Sequence, residues 1–428
     1  MGNQRRHHYY NIDTTNIDIR KGCQEFAKNS GLSFMSKDYQ SNVIYVSMPT
    51  SYLNAYLTYG IFTRLKRTVN KLEIDSTLIK RFIGISLIMS AVRHPKFEMY
   101  WDGITRMDSI AESMTLSVFR IIITHLQFSY KTDDKREDKL YMIRPLIDNI
   151  KKRCRKIPSP LDVAVAMMVI SSRGRTIIID KDTQIPEGLL IFILVAPDGT
   201  LLDIEPYQGY DAFIEAIKRT EFDISQYKNL SLTEAAVLSF VKRVPYGTRF
   251  YLDEKFTTIR LLQILGINGV FTTGCIIKKL IPKEADFKHD GRQIQVKVRD
   301  DADHNLILWY NNRKGKQDYL ISNIFQYDPV QQYQRWSKKK NKYYHTNCPN
   351  IIWQYNNCMN GVDILRKMII DDNRSFRTGK YKVDLILALI DITCNNAWKE
   401  YRRDCYKTSI TPVDLKTFKY EIADKYMS

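Results

Sequence analysis

The sequence predicts an α/β protein with helical segments on both sides of a strand-rich middle, and three observations carry the prediction. Between about residues 159 and 275, apolar runs of strand length are broken by turn residues and then by helical spacings. From Leu53 to about Cys154, and again from about Val383 to Arg403, apolar residues recur at helical intervals. The stretch Gly247 to Gly274 reads as a strand, an acid, a helix and a second strand in close order. An acid at the carboxyl end of a buried strand points into the crevice where α/β sheets hold ligands.

Taken from the start, Met1 to about Asn42 is polar and weakly periodic and is expected to be a disordered tail. Asp75 and Ser76 offer caps for a helix carrying Leu78, Phe82, Ile85, Leu87, Ile88 and Val92, which Pro95 ends. Two more helices are expected around Ser117 to Phe128 and Ile143 to Cys154, separated by the charged loop KTDDKRED. Strands follow at Val163 to Ile170, at Thr176 to Ile179, and at Leu189 to Ala196, the last joined to Leu201 to Ile204 across a Pro-Asp-Gly turn. Ser231 and Glu234 form a capping box before Ala236, Val237, Phe240 and Val241. Phe250 to Leu252 make a short strand that stops at Asp253, and Ile259, Leu261, Leu262 and Leu265 make a helix closed by Gly266 as a left-handed cap. By itself Asp253 reads better as the cap of that helix than as a functional acid. Three strands, a helix, a strand and a helix is the order of an RNase H-like core, and it also fits other α/β folds.

A basic, β-rich insertion follows at about 276–345, with alternation at Ile294, Val296 and Val298 and again at Leu306, Leu308 and Tyr310. Its bases include Lys278, Lys279, Arg313 and Lys314. The run Lys338, Lys339, Lys340 and Lys342 lies between Trp336 and Tyr343-Tyr344. Such interleaving suits phosphate contact with base stacking, and equally a solvated face or a nuclear-import signal. The final block places Asp363 at the start of a helical stretch with Ile364, Leu365 and Met368, passes a basic loop, enters the long helix and ends in a charged tail. The expected division is a tail at 1–42, helical parts at 43–158 and 373–428, and a core at 159–275 and 346–372 interrupted by the insertion.

Composition narrows the partners. The 428 residues carry 65 Lys and Arg against 47 Asp and Glu, a net charge of +18, which favours polyanions: nucleic acid first and an anionic membrane second. The longest apolar run, Phe82 to Val92, is too short to span a bilayer, and Met1 to Tyr10 is too polar for a signal peptide. Seven scattered cysteines with no Cys-x-x-Cys point to a reducing compartment and to no zinc site.

The ordered phrases HPKFEMYWD, FRIIITHLQFSY, DKLYMIRPLID, the RGR at Arg173 to Arg175, EPYQG, YLDEKFTT, GVD and LALIDITCNNA resemble those of the piggyBac-type DNA transposases, over about Phe82 to Tyr401. The resemblance implies an RNase H-like nuclease in which three aspartates hold two divalent metals, Mg2+ or Mn2+, one activating the attacking oxygen and the other stabilising the leaving one. It makes Asp253 the second acid and Asp363 the third. The first, counted back from the RGR, falls on Ala166, followed by Met167 and Met168, and a further acid that often follows the third falls on Arg366. Asp162 lies four residues before Ala166, roughly 13 Å along a strand and too far to substitute without a register change, which leaves Asp180 and Glu205 as the conceivable substitutes.

Members of that family commonly carry a cysteine-rich, zinc-binding module at the carboxyl end, and the spacing of Cys394 and Cys405 is not one that such a zinc site is expected to use. The expectation is therefore a transposase-derived protein that keeps its fold and binds double-stranded DNA without cleaving it. Arg173, Arg175, Lys278, Lys279, Arg374, Arg377 and Lys380 would meet phosphates. The resemblance further implies a homodimer, or a heteromer with a related active transposase, in the nucleus. The competing readings are an active transposase with a substitute acid and a purely structural subunit.

Overall fold

The computed structural model describes residues 46–58, 60–61, 67–69, 72–126, 140–141, 143–171, 188–218, 227, 229–281, 294–298, 306–311, 317–337, 341–371 and 381–428. The expected tail, the KTDDKRED loop, the strand at Thr176 to Ile179, Arg173, Arg175, Asp180, Lys338 to Lys340, Arg374, Arg377 and Lys380 lie outside the described residues.

The elements run α1 (Pro49–Tyr56), β1 (Arg67–Val69), β2 (Leu72–Ile74), α2 (Ser76–Ala91), α3 (Asp108–Ser113), α4 (Leu116–His125) and α5 (Arg144–Cys154). The middle of the chain gives β3 (Asp162–Ser171), β4 (Gly188–Val195), β5 (Leu201–Pro206), α6 (Tyr210–Lys218), α7 (Leu232–Leu238), β6 (Arg249–Leu252), α8 (Ile259–Ile267) and β7 (Phe271–Cys275). The rest is β8 (Ile294–Val298), β9 (Leu306–Asn311), β10 (Gln317–Ser322), β11 (Gln331–Ser337), β12 (Lys342–Cys348), α9 (Asn350–Asp371), α10 (Tyr381–Lys407) and α11 (Leu415–Met427).

Among the described residues, eight strands form one sheet in the order β5-β4-β3-β6-β7-β10-β9-β8. Strands β3, β4 and β5 are antiparallel, whereas β6 lies parallel to β3 and β7 parallel to β6. Side chains alternate across the sheet. Val163, Val165, Phe192, Phe250 and Leu252 pack with α7 and α8 on one face, and Ala164, Ala166, Ile193 and Tyr251 pack with α9 and α10 on the other. The strands are apolar on both faces because both faces are covered. At the sheet edge, the carboxamide of Asn396 on α10 accepts from the N–H of Leu201 and donates to its carbonyl, so β5 leaves these groups satisfied.

Local chemistry sets several element ends. Asp75 accepts from the N–H of Leu78 at 2.7 Å, and Ser231 and Glu234 complete their reciprocal box. Four features differ from the sequence expectation. The left-handed glycine after α8 is Gly269, with φ +73°, because the chain reverses into β7 there and Gly266 is still helical. Asp363 lies in the middle of α9, which starts thirteen residues earlier at Asn350. Of the expected insertion, β8, β9 and β10 continue the main sheet through the antiparallel pairing of β10 with β7, and only β11 and β12 pair apart. The expected charged tail contains α11, whose Phe418, Ile422, Ala423 and Tyr426 are buried, and which packs along α2.

Candidate active site

Register brings the first two positions together. The parallel pairing of β3 with β6 runs from Asp162 opposite Arg249 to Val165 opposite Leu252, and one step further along the two chains stand Ala166 and Asp253. Ala166 is fully buried. Asp253 opens a tight turn: its carboxylate accepts from the N–H of Lys255 at 2.9 Å, and its carbonyl accepts from Phe256, from Thr257 and from the Thr257 hydroxyl. It does not cap α8. Thr258 does, accepting from the N–H of Leu261 at 3.0 Å while donating to Glu234.

Helix α9 lies close against the turn of the β4–β5 hairpin, at the end of the sheet where β3 and β6 begin, and Asp363 follows that contact by two residues. A Cβ on Gly361 would stand 2.2 Å from the carbonyl oxygen of Ala196, and one on Gly199 would stand 2.8 Å from Cγ2 of Ile364. No side chain fits at either point, which gives the glycine of the GVD phrase a steric cause. Val362 and Leu365 turn into the core, while the Asp363 side chain keeps 66% of its exposure.

One turn further along α9, the Arg366 guanidinium reaches across to β3. One terminal nitrogen donates to the Met167 carbonyl at 3.0 Å, directly after Ala166, and the other lies 4.0 Å from the Asp363 carboxylate. Its charge also acts on Asp253. Burial lifts the Asp253 carboxyl pKa above its usual value, and the Lys255 N–H and the Arg366 charge pull it part of the way back.

This donor set does not fit a pair of divalent cations. Two carboxylates, one of them largely exposed, face a methyl group and a guanidinium, so charge neutralisation and ligand number both fall short. Among the described residues no group of three or more His, Cys, Asp or Glu is arranged to hold a metal ion. The proposed substitutes are engaged elsewhere. Asp162 lies four residues back on β3, roughly 13 Å by strand rise, where it accepts from Arg249 at 2.5 Å and from the Tyr251 hydroxyl at 2.8 Å. Glu205 pairs with Lys151 and sits opposite Phe192, which belongs to the core on the other face of the sheet from Ala166. Asp180 lies outside the described residues. Lys278 and Lys279 are exposed on a short turn after β7, leaving the sheet at the end where Asp253 does. Sequence reasoning marked position 366 as a lost acid but missed the bond its guanidinium makes to Met167, since no local signal encodes a contact 199 residues away.

The raised pKa of Asp253 has a consequence for stability. A folded-state value above the unfolded one contributes stability below the unfolded pKa of about 4, and this is lost as pH rises through the folded value. Asp253→Asn keeps an acceptor for Lys255 and removes the desolvated charge. The variant is expected to melt higher than the native chain at neutral pH, with the difference closing below about pH 4, as thermal melts across pH would record.

Known proteins resemble this chain in sequence and in fold. A family model described as Transposase IS4 matches residues 48–398. The chain is 24% identical over 367 residues to PiggyBac transposable element-derived protein 3 of Homo sapiens, covering 83% of this chain and 59% of that protein. It is 24% identical over 385 residues to PiggyBac transposable element-derived protein 2 of Homo sapiens, covering 85% and 61%. It thus spans about three-fifths of the length of these curated relatives. In shape it matches the piggyBac transposase of a cryo-EM synaptic complex with hairpin DNA, with TM-score 0.72 and 17% identity, over 90% of this chain and 81% of that one. At that identity the likeness is one of fold.

Proposed function

Because the chain belongs to the Transposase IS4 family and is related to the piggyBac transposable element-derived proteins, we propose that it is a transposase-derived, DNA-binding protein that has lost metal-dependent cleavage. The observation that carries the proposal is the Arg366 guanidinium, bonded to the Met167 carbonyl next to Ala166 and acting on both Asp253 and Asp363. Phosphoryl transfer of the two-metal kind needs cations about 3.5–4 Å apart, clamped by several carboxylates. Here a fixed organic cation neutralises the two acids that remain, and it has no open coordination position with which to polarise an attacking oxygen.

The strand order β5-β4-β3-β6-β7, three antiparallel strands followed by two parallel ones, supports an RNase H-like core at 159–275 and 346–372. A net charge of +18 supports a polyanionic partner. In this reading the partner is double-stranded DNA, and Lys278, Lys279, Arg173, Arg175, Arg374, Arg377 and Lys380 contact its phosphates. The chain acts in the nucleus as a homodimer or beside a related active transposase. Among the described residues no helix is long and apolar enough to cross a membrane. With Asp162 and Glu205 both held in ion pairs, no observation favours a substitute acid.

The test is a nicking and hairpin-forming assay with the purified chain and duplex DNA in Mg2+ or Mn2+, read beside a binding isotherm. Binding that weakens steeply with salt, with no cleaved strand, is the expected result. Cleavage that disappears in Asp253→Asn would overturn the proposal.

A further inference from the structure

Strands β11 and β12 pair only with each other among the described residues, forming a two-stranded ribbon outside the main sheet. Its base is fixed: Cys348 is buried, and the N–H of Asn350 donates to the Tyr327 carbonyl at 2.9 Å. Along its length, Gln332 lies opposite Asn347 and Gln334 opposite His345. Side chains of directly paired residues share a face, and positions two apart share it too. These four residues, all exposed, therefore share one face, which continues along the ribbon to the pair Trp336 and Tyr343. Lys342 and Tyr344, also exposed, belong to the opposite face. Residues 331–348 contain five Lys or Arg and no Asp or Glu. A segment that only had to be soluble would mix both signs.

We propose that this ribbon enters the major groove of duplex DNA, with Gln332, Gln334, His345 and Asn347 reading base edges and Lys342 holding the backbone. The major groove, about 12 Å wide, admits a two-stranded β-ribbon, and carboxamides pair bidentately with the N6 and N7 edge of adenine. The four residues are uncharged, so they supply discrimination between sequences, while the surrounding bases supply attraction to any phosphate backbone. The proposal rests on the DNA-binding reading above and adds to it the element that would give sequence preference.

Duplexes selected by the full chain from a random-sequence pool, compared with unselected duplex by fluorescence anisotropy over a range of salt, separate the two claims. Gln332→Ala with Gln334→Ala removes exposed side chains and no charge. It is expected to weaken binding to the selected duplex at least tenfold, about 1.4 kcal/mol, while leaving unselected duplex and the salt slope unchanged. Lys342→Gln is expected to weaken both duplexes alike and to reduce the slope by about one. A double variant that keeps the native preference overturns the ribbon's role and leaves DNA binding standing, as does a native chain with no preference among duplexes. A native chain that binds no duplex overturns the DNA-binding reading itself, and the ribbon proposal with it.

Discussion

The double variant Ala166→Asp, Arg366→Asp is expected to bind Mn2+ and to depend on it for stability. In the native chain Arg366 acts on both Asp253 and Asp363, whereas the variant replaces that guanidinium with an acid and adds another at position 166, leaving Lys255 as the positive charge acting on Asp253. Position 166 is fully buried, so the introduced carboxylate is desolvated and repelled by Asp253. Without metal the variant should melt well below the native chain. A cation at a hundred times its dissociation constant adds about 2.7 kcal/mol to the folded state, so the melting temperature should recover with added Mn2+. Titration calorimetry gives the affinity directly. Ala166→Asp alone should bind metal far more weakly, because Arg366 stays to neutralise the new acid. A native chain that Mn2+ stabilises as strongly as the double variant would show that Arg366 does not replace the metal.

Lys419→Ala is expected to destabilise the protein by roughly 3–5 kcal/mol, the range for removing one partner of a buried charge pair. Lys419 on α11 is 1% exposed, its ammonium donates to the Ser90 hydroxyl of α2 at 3.0 Å, and it lies 3.9 Å from the Asp391 carboxylate of α10. Truncation removes a positive charge 3.9 Å from the buried Asp391 carboxylate. Lys419→Met combined with Asp391→Leu removes both charges and keeps the volume, and should recover most of the loss. Denaturant melts of Lys419→Met, of Asp391→Leu and of the double variant close the cycle.

What the residues disclosed depended on how local the cause was. The Asp75 cap, the Ser231 box, the Pro-Asp-Gly hairpin and the apolar run of α10 are each set by neighbours a few positions away, and each was legible. The segment LKTFKYEIADKYM was not, because Lys419 reads as a surface residue until its partners on α2 and α10 are known. The pairing of β10 with β7 joins segments about 45 residues apart and leaves no periodic trace in either one. Asp253 and Asp363 stood out by resemblance to a family. That Ala166 adjoins Asp253 follows from strand register, and that Arg366 turns back to Met167 follows from where α9 lies. Neither is written in any short window of sequence.

The seam between α2 and α11 also bears on how the chain is made. Ser90 and Lys419, joined across it, are 329 residues apart, so α2 leaves the ribosome long before the helix that covers it. At synthesis rates of about 5–20 residues per second, the interval is roughly 15–65 seconds. For that time the face of α2 that carries Gly84 and Ser90 is left without the helix that covers it in the folded chain.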